Sequence, residues 1–274
     1  VKPLFRLLAH LPLPALHALG AAMGWLAFLL SPTYRRRFLE NARQAGYGFG
    51  RVRGAVAEAG KLVGEVPRLW FGAPVRLLWD GAELIEAARG AGRGIIFLTP
   101  HLGCFEVTAQ GYAQRFGPIT VLYRPARKAW LRDLVDTARG RPNLATAPTT
   151  LAGVRQMLRA LKAGEAVGLL PDQVPPEGLG VWAPFFGRDA YTMTLPARLA
   201  QQSGAQLLLA WGERLSWGRG YRIRLREWSG ELPAEPQAAA RASNAGMESL
   251  VRECPQQYLW GYARYKQPRK ELAP

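Results

Sequence analysis

Acidic residues are scarce in this 274-residue chain: 20 Asp and Glu face 36 Lys and Arg, a formal net charge of +16 at pH 7. With a pI near 10.6, the excess implies an anionic partner: nucleic acid, an acidic membrane surface, or an acidic protein or lipid. Cysteine is scarcer still. Cys104 and Cys254 are too few and too far apart for a disulfide framework or a zinc site, so reducing, cytoplasmic exposure is the default. No Gly-x-Ser-x-Gly elbow is present, which argues against a serine hydrolase. Gly90, Gly92 and Gly94 precede a strand-like run instead of following one, so they are no dinucleotide fingerprint. Internal repeats and low-complexity segments are also missing. Hydrophobic residues make up 49% of the chain and the mean hydropathy is −0.09, values that exclude both disorder and a polytopic membrane protein.

A local absence narrows the choice of anion. From Leu7 to Tyr34 there is no Lys, Arg, Asp or Glu, and Pro14 to Leu30 is almost wholly apolar. As a helix that run spans about 25 Å, the short end for crossing a bilayer. A buried core helix and a cleaved signal peptide are the alternatives. Lys2 and Arg6 before the run and Arg35, Arg36 and Arg37 after it favour a membrane anchor, monotopic or marginally spanning. Each basic residue near anionic headgroups contributes about 1 kcal/mol. Residues 1–33 are therefore read as the anchor region and 34–274 as one α/β domain.

Past the anchor the periodicity predicts a basic helical region over 34–60 and a second, mostly helical stretch to Arg89, broken at Gly72 and Pro74. The pattern then changes to apolar strands at Ile95–Thr99, Ile119–Tyr123, Leu144–Ala147, Ala166–Leu170, Gln206–Trp211 and Tyr221–Glu227. Helices are expected at Phe105–Gln114, Lys128–Gly140, Leu151–Lys162, Leu195–Gln202 and Gln237–Cys254. Strands alternating with helices imply an α/β fold with a mixed, mostly parallel central sheet covered by helices on both faces. A long Pro- and Gly-rich loop from Gln173 to Ala190 exceeds usual connection lengths, which suits a lid or a substrate wall.

Only three histidines occur, and His10 and His17 lie in the apolar N-terminal stretch. His101 instead follows a strand, behind Pro100 and ahead of Gly103, with Glu106 five positions on. Ligands bind at this end of strands in open α/β sheets. A carboxylate on one ring nitrogen fixes the tautomer and leaves the other nitrogen the stronger base. Gly103 would let a substrate approach the backbone closely.

The segment Pro100-His101-Leu102-Gly103-Cys104-Phe105-Glu106 resembles the His-x4-Asp/Glu motif of glycerolipid acyltransferases and, more narrowly, the late acyltransferases of lipid A biosynthesis, the lauroyl/myristoyl transferase family. Further blocks follow in that family's order: Arg37 with Asn41, Tyr123-Arg124-Pro125, Leu170-Pro171-Asp172-Gln173, the segments from Pro184 and from Thr192, and Gln257 to Lys266. Cys104-Phe105 stands where members often carry Asn-Trp, and Cys104 reads as a small buried residue, not a nucleophile.

The resemblance implies a glycerol-phosphate-acyltransferase-like fold and transfer of a fatty acyl chain from an acyl carrier protein (or CoA) thioester to a hydroxyl of a lipid A precursor. It implies no cofactor, and a site at the cytoplasmic face of a Gram-negative inner membrane. His101 is then the general base with Glu106 as its orienter. Tyr123, Arg124, Asp172, Gln173 and Gly103 are the substrate-binding candidates. Arg124 is the expected phosphate ligand, while Asp172 either orders that site or caps its loop. The tail residues Arg264, Lys266, Arg269 and Lys270 offer a dock for an acidic carrier protein. A lysophospholipid or other polar-lipid acyltransferase is the alternative. A basic membrane- or nucleic-acid-binding protein without catalysis is the alternative of another class, against which stands the lack of any nucleic-acid fold signature.

Overall fold

A computed structural model describes residues 2–123, 141–230 and 232–270. The expected helix Lys128–Gly140, with Arg124 and Pro125, lies outside the described residues. Six helices come first: α1 Lys2–Leu8, α2 Leu13–Leu30, α3 Pro32–Gln44, α4 Phe49–Val52, α5 Gly54–Gly64 and α6 Val66–Phe71. Then follow β1 Leu77–Asp80, α7 Ala82–Gly90, β2 Ile95–Leu98, α8 Glu106–Arg115, β3 Ile119–Tyr123 and β4 Leu144–Pro148. The remainder is α9 Leu151–Lys162, β5 Ala166–Leu169, β6 Gly180–Phe185, β7 Arg188–Met193, α10 Leu195–Ser203, β8 Gln206–Arg214, β9 Tyr221–Glu227 and α11 Pro236–Glu253.

Seven strands form one sheet in the order β1-β9-β8-β2-β5-β3-β4. Every neighbouring pair is parallel except β8 with β9. The expected mixed, mostly parallel sheet is thus observed. Side chains alternate between its faces, as the pleat requires. Ile96, Leu98, Val167, Leu169, Leu207, Leu209 and Trp211 join one core layer, under α9, α10 and α11. Ile95, Phe97, Ala166, Leu208 and Ala210 join the other, with Ile85 of α7 and Val107 and Tyr112 of α8. Both faces are buried, which is why the central strands read as unbroken apolar runs.

The pairing register carries the functional consequence. Leu98 of β2 lies opposite Leu169 of β5. His101 and Asp172 each follow three residues later, so equal lengths of chain deliver them to the same sheet edge.

Two elements differ from the sequence reading. β1 falls inside the stretch expected to be helical; Leu77 and Trp79 face the second core layer while Asp80 pairs with Arg224 of β9 at 2.7 Å. This is a two-residue alternation too short to stand out by itself. The expected loop 173–190 is half hairpin. β6 and β7 pair antiparallel, with Trp182 and Tyr191 rings 5.5 Å apart across the ladder. Phe186 (φ 47°) and Gly187 (φ 76°) make the turn, both left-handed as a tight hairpin demands. Phe186 holds that conformation because its N–H donates to Glu248 at 2.6 Å and its carbonyl accepts from Gln44 at 2.7 Å.

Helix α2 lies along the domain. Its buried side is Leu13, Leu16, His17, Gly20, Gly24 and Phe28. A Cβ on Gly60 of α5 would sit 1.9 Å from the Gly20 carbonyl oxygen, so α2 and α5 touch backbone to backbone. The opposite side exposes Leu19, Met23, Leu26, Leu29 and Leu30. By length and apolarity α2 is sufficient to cross a membrane.

Just beyond α5, Glu65 is fully buried and is the hub of a charged cluster. Arg214 donates to it from Nε at 2.8 Å and from Nη2 at 2.6 Å. Tyr221 Oη donates at 2.9 Å, and His17 Nε2 lies 3.1 Å away. Burial pushes the Glu65 carboxyl up, but the Arg214 charge and the His17 and Arg214 hydrogen bonds outweigh it and hold it at about 2.

Candidate active site

His101 stands where β2 gives way to α8, and its backbone is pinned on both sides. Its carbonyl accepts from Leu259 N–H at 3.1 Å, and Leu102 bridges Tyr258. Next in the loop, Gly103 N–H donates to the Gln257 carbonyl at 3.0 Å and Cys104 N–H to the Gly212 carbonyl at 2.7 Å. Gly103 has φ 59°, and a Cβ there would lie 2.0 Å from the Gly212 oxygen. β8 therefore makes a close approach at Gly103.

The ring is held from the β5 side. His101 Nδ1 is 2.7 Å from Asp172 Oδ1, and His101 N–H donates to Asp172 Oδ2 at 2.8 Å. An acceptor carboxylate on Nδ1 puts the proton there, leaving Nε2 with its lone pair. Gln173 Nε2 lies 2.9 Å from that nitrogen. The edge of Phe105 closes the ring's flank, centroids 4.9 Å apart. Glu106, assigned to the ring by spacing, starts α8, and its side chain lines a different cavity. Burial pulls Arg141 down, and the Glu106 charge opposes that pull.

Asp172 is only 1% exposed. Burial raises its carboxyl; the His101 ring charge, the hydrogen bonds from the His101 ring and backbone, and the Arg264 charge more than reverse this, so it stays below the usual carboxylate range. The buried Tyr258 hydroxyl also bonds Asp172 and is pushed well above its ordinary value, by burial first and by the Asp172 charge second.

Behind them, Arg264 is 2% exposed. It donates to the Tyr191 carbonyl and to Thr192 Oγ1, both at 2.7 Å, and to Asn244 Oδ1 at 3.1 Å. This corrects the expectation of a basic tail that includes Arg264: its charge faces inward to Asp172, Lys266 is half-buried, and Arg269 and Lys270 are exposed. Asn41 has no place at the ring. Its amide donates to the Trp260 and Tyr262 carbonyls, each at 2.7 Å, clamping the C-terminal segment that in turn holds His101.

A cavity of about 440 Å³ opens onto His101. Its walls include Tyr123, Leu122, Val154, Gln173, Leu179, Met193, Leu195 and Arg198, mostly apolar with a few polar groups. That is the usual make-up of a small-molecule site. Phe105, Leu122 and Leu170 separate it from a narrow apolar cavity of about 60 Å³ between α8 and the sheet, lined also by Glu106, Phe97 and Tyr112. Tyr123 and Gln173 thus share one cavity with His101, while Arg124 lies outside the described residues.

Sequence reasoning missed Tyr258 and Arg264 as neighbours of the catalytic-type pair. The aromatic-basic C-terminal run was visible, but its folding back under β5 was not. The buried Cys104 is pushed well above the usual thiol range, chiefly by burial and then by the Glu65 charge, which fits an inert packing residue.

The comparison with known proteins agrees with the geometry. A family model described as bacterial lipid A biosynthesis acyltransferase matches residues 3–267. The lipid A biosynthesis palmitoleoyltransferase of Escherichia coli (strain K12) is 28% identical over 275 residues, 94% of this chain and 87% of that protein. The lauroyltransferase of the same organism is 28% identical over 281 residues, 95% of this chain and 88% of its own. A Haemophilus influenzae lipid A biosynthesis acyltransferase is 28% identical over 185 residues, 66% of this chain and 56% of the relative. With its mostly parallel sheet, its strand-end histidine and a family match along nearly its full length, the chain belongs to the bacterial lipid A biosynthesis acyltransferases.

Proposed function

We propose that this acyltransferase moves a fatty acyl chain from an acyl carrier protein thioester to a hydroxyl of a lipid A precursor, with His101 as general base. The observation that carries this reading is the 2.7 Å contact between His101 Nδ1 and Asp172, which directs Nε2 into the apolar cavity. Nε2 takes the proton of the acceptor hydroxyl as its oxygen attacks the thioester carbonyl. Asp172 stays ionised and stabilises the imidazolium. The tetrahedral intermediate collapses, the C–S bond breaks, and the leaving thiolate takes the proton back from Nε2.

A positioned base supplies about 10²–10⁴-fold, so the remainder comes from binding and positioning. Leu122, Val154, Leu179, Met193 and Leu195 offer the acyl chain an apolar bed. Glu106 is the second catalytic carboxylate in this reading, its charge beyond Phe105 favouring the imidazolium as it forms. Tyr123, which ends β3, and the residue after it, Arg124, bind the phosphorylated acceptor. Gly103 serves the site by letting the His101 loop seat against β8. No cofactor takes part.

The exposed apolar side of α2 lies in the cytoplasmic leaflet of the inner membrane, and exposed Arg36, Arg37 and Arg43 of α3 meet anionic headgroups. The acidic carrier protein docks at the cavity mouth. Arg198 lines it, and the chain at Arg269 is tied by its carbonyl to Glu177 N–H at 3.0 Å, which brings exposed Arg269 and Lys270 to the same side.

The deciding experiment is an acceptor panel. Membranes carrying the protein are given radiolabelled acyl carrier protein thioester with a tetra-acylated lipid A precursor or with lysophosphatidic acid. Transfer to the lipid A precursor is expected. Transfer to lysophosphatidic acid alone overturns the acceptor assignment.

A further inference from the structure

The lone pair that a general base needs is occupied in this structure. His101 Nδ1 is committed to Asp172, and the Gln173 carboxamide nitrogen sits 2.9 Å from Nε2, donating to it. An acceptor hydroxyl delivering its proton to Nε2 must come within about 2.6–3.2 Å of the same atom. Both cannot be there at once.

The residues on either side of Gln173 are tied down. Asp172 is held by two hydrogen bonds from His101, and Val174 N–H donates to Tyr262 Oη at 3.0 Å. Displacement is therefore a swing of the Gln173 side chain alone, into the cavity of about 440 Å³ that it already lines.

We infer that Gln173 is a catalytic residue with two positions: its carboxamide holds the acceptor hydroxyl's place on His101 Nε2 in the free enzyme and, once displaced, donates to the oxyanion of the tetrahedral intermediate. This rests on the reading of His101 as general base. The step balances. The acceptor O–H bond breaks with its proton to Nε2, the new C–O bond forms as the carbonyl π pair moves to oxygen, and the Gln173 N–H₂ meets that negative charge. The charge returns to form the carbonyl as the C–S bond breaks, and Gln173 returns to Nε2 when the ester leaves. The exchange keeps Nε2 bonded throughout and gives the freed donor a partner exactly when one is created nearby.

Two measurements test this, on the full-length protein. First, ¹⁵N NMR of the His101 ring in substrate-free enzyme: the Nε2 resonance of the neutral ring should move from the hydrogen-bonded to the unbonded imine position in Gln173→Leu, which keeps bulk without a donor. Second, steady-state kinetics with acyl carrier protein thioester and the acceptor the wild type uses. Loss of an oxyanion donor should lower kcat by about 10²–10³-fold. The acceptor KM should stay level or fall, because the competitor for Nε2 has gone. Gln173→Glu should fall further than Gln173→Leu at neutral pH, because a carboxylate there keeps the proton on Nε2.

An unmoved Nε2 resonance in Gln173→Leu, or a kcat within threefold of wild type, overturns the inference. So does a loss of rate that appears only as a raised KM, the mark of a packing role. The NMR arm needs no substrate, so it judges Gln173 even where the lipid A acceptor assignment fails.

Discussion

Two clusters in this protein are built from the same parts, a histidine, a carboxylate and an arginine, and they face opposite surroundings. In one, His17 and Arg214 converge on Glu65, with Tyr221 completing the carboxylate's partners. In the other, His101 meets Asp172, with Tyr258 and Arg264 behind. The difference is which ring nitrogen meets the carboxylate and what the other atoms face. His17 turns Nε2 onto Glu65 in a sealed junction of α2, α5 and the sheet. His101 gives Asp172 its Nδ1 and keeps Nε2 toward a cavity. Residue inventory alone does not distinguish the two histidines; what the second ring nitrogen faces does.

Exchanging the roles breaks the comparison most visibly. His101→Gln should lower acyl transfer by about 10²–10⁴-fold with little change in thermal unfolding. His17→Gln should do the reverse, lowering the unfolding midpoint while activity stays within a few-fold. A paired assay of turnover and calorimetry decides, and equal losses of activity in both variants would collapse the distinction.

The carboxylates come next. Glu65→Ala leaves the buried Arg214 guanidinium with Glu58, 3.2 Å from Nη1, as its one remaining carboxylate, a destabilisation of about 3 kcal/mol readable by denaturant unfolding. Asp172→Asn should instead act chiefly on kcat, since an amide cannot stabilise the imidazolium. A kcat unchanged in Asp172→Asn would remove Asp172 from the mechanism.

Acid sharpens the same contrast. Glu65 sits at about 2 when folded against an ordinary 4.5. Its contribution is complete above about pH 4.5 and is lost as pH falls toward 2, worth on the order of 3 kcal/mol. Asp172 is shifted in the same direction and adds to the same acid limb. Glu65→Gln should flatten most of the stability loss between pH 5 and 2, and a slope as steep as wild type would contradict the assignment.

The smallest effect is expected at Cys104, which touches the Glu65 cluster and precedes Phe105. Burial keeps its thiol protonated. Cys104→Ala should retain activity within a few-fold, and the native protein should not react with thiol reagents at that site. Rapid labelling of folded protein would mean the loop opens.

How much of this could be read in the sequence follows from the range of each signal. The apolar runs of β2 and β5 and the strand-end position of His101 are local, and they were legible. The partner of His101 was not. Spacing pointed to Glu106, five residues on, whereas the carboxylate that reaches Nδ1 is 71 residues away across two neighbouring strands. Asp172 was visible as a strand-end acid, but its pairing depends on β2 lying directly beside β5. Arg264 reads as a tail cation because it stands with Lys266, Arg269 and Lys270 near the C-terminal end; its burial needs the hairpin β6–β7 and α11 around it. That hairpin was hidden by a turn of Phe186 and Gly187 in place of the familiar Asn-Gly. At Gly103 the sequence points to a close approach, and the structure shows β8 making one.

The equal three-residue runs from Leu98 to His101 and from Leu169 to Asp172 have a consequence for which changes of length the chain can survive. Deleting one residue from either run draws the following residue back toward its strand end by up to about 3.3–3.6 Å. The histidine and its carboxylate then part even though each is still present. Length is therefore constrained more tightly than identity along these two short segments, and insertions or deletions should be tolerated in the connections far from them, at the opposite edge of the sheet.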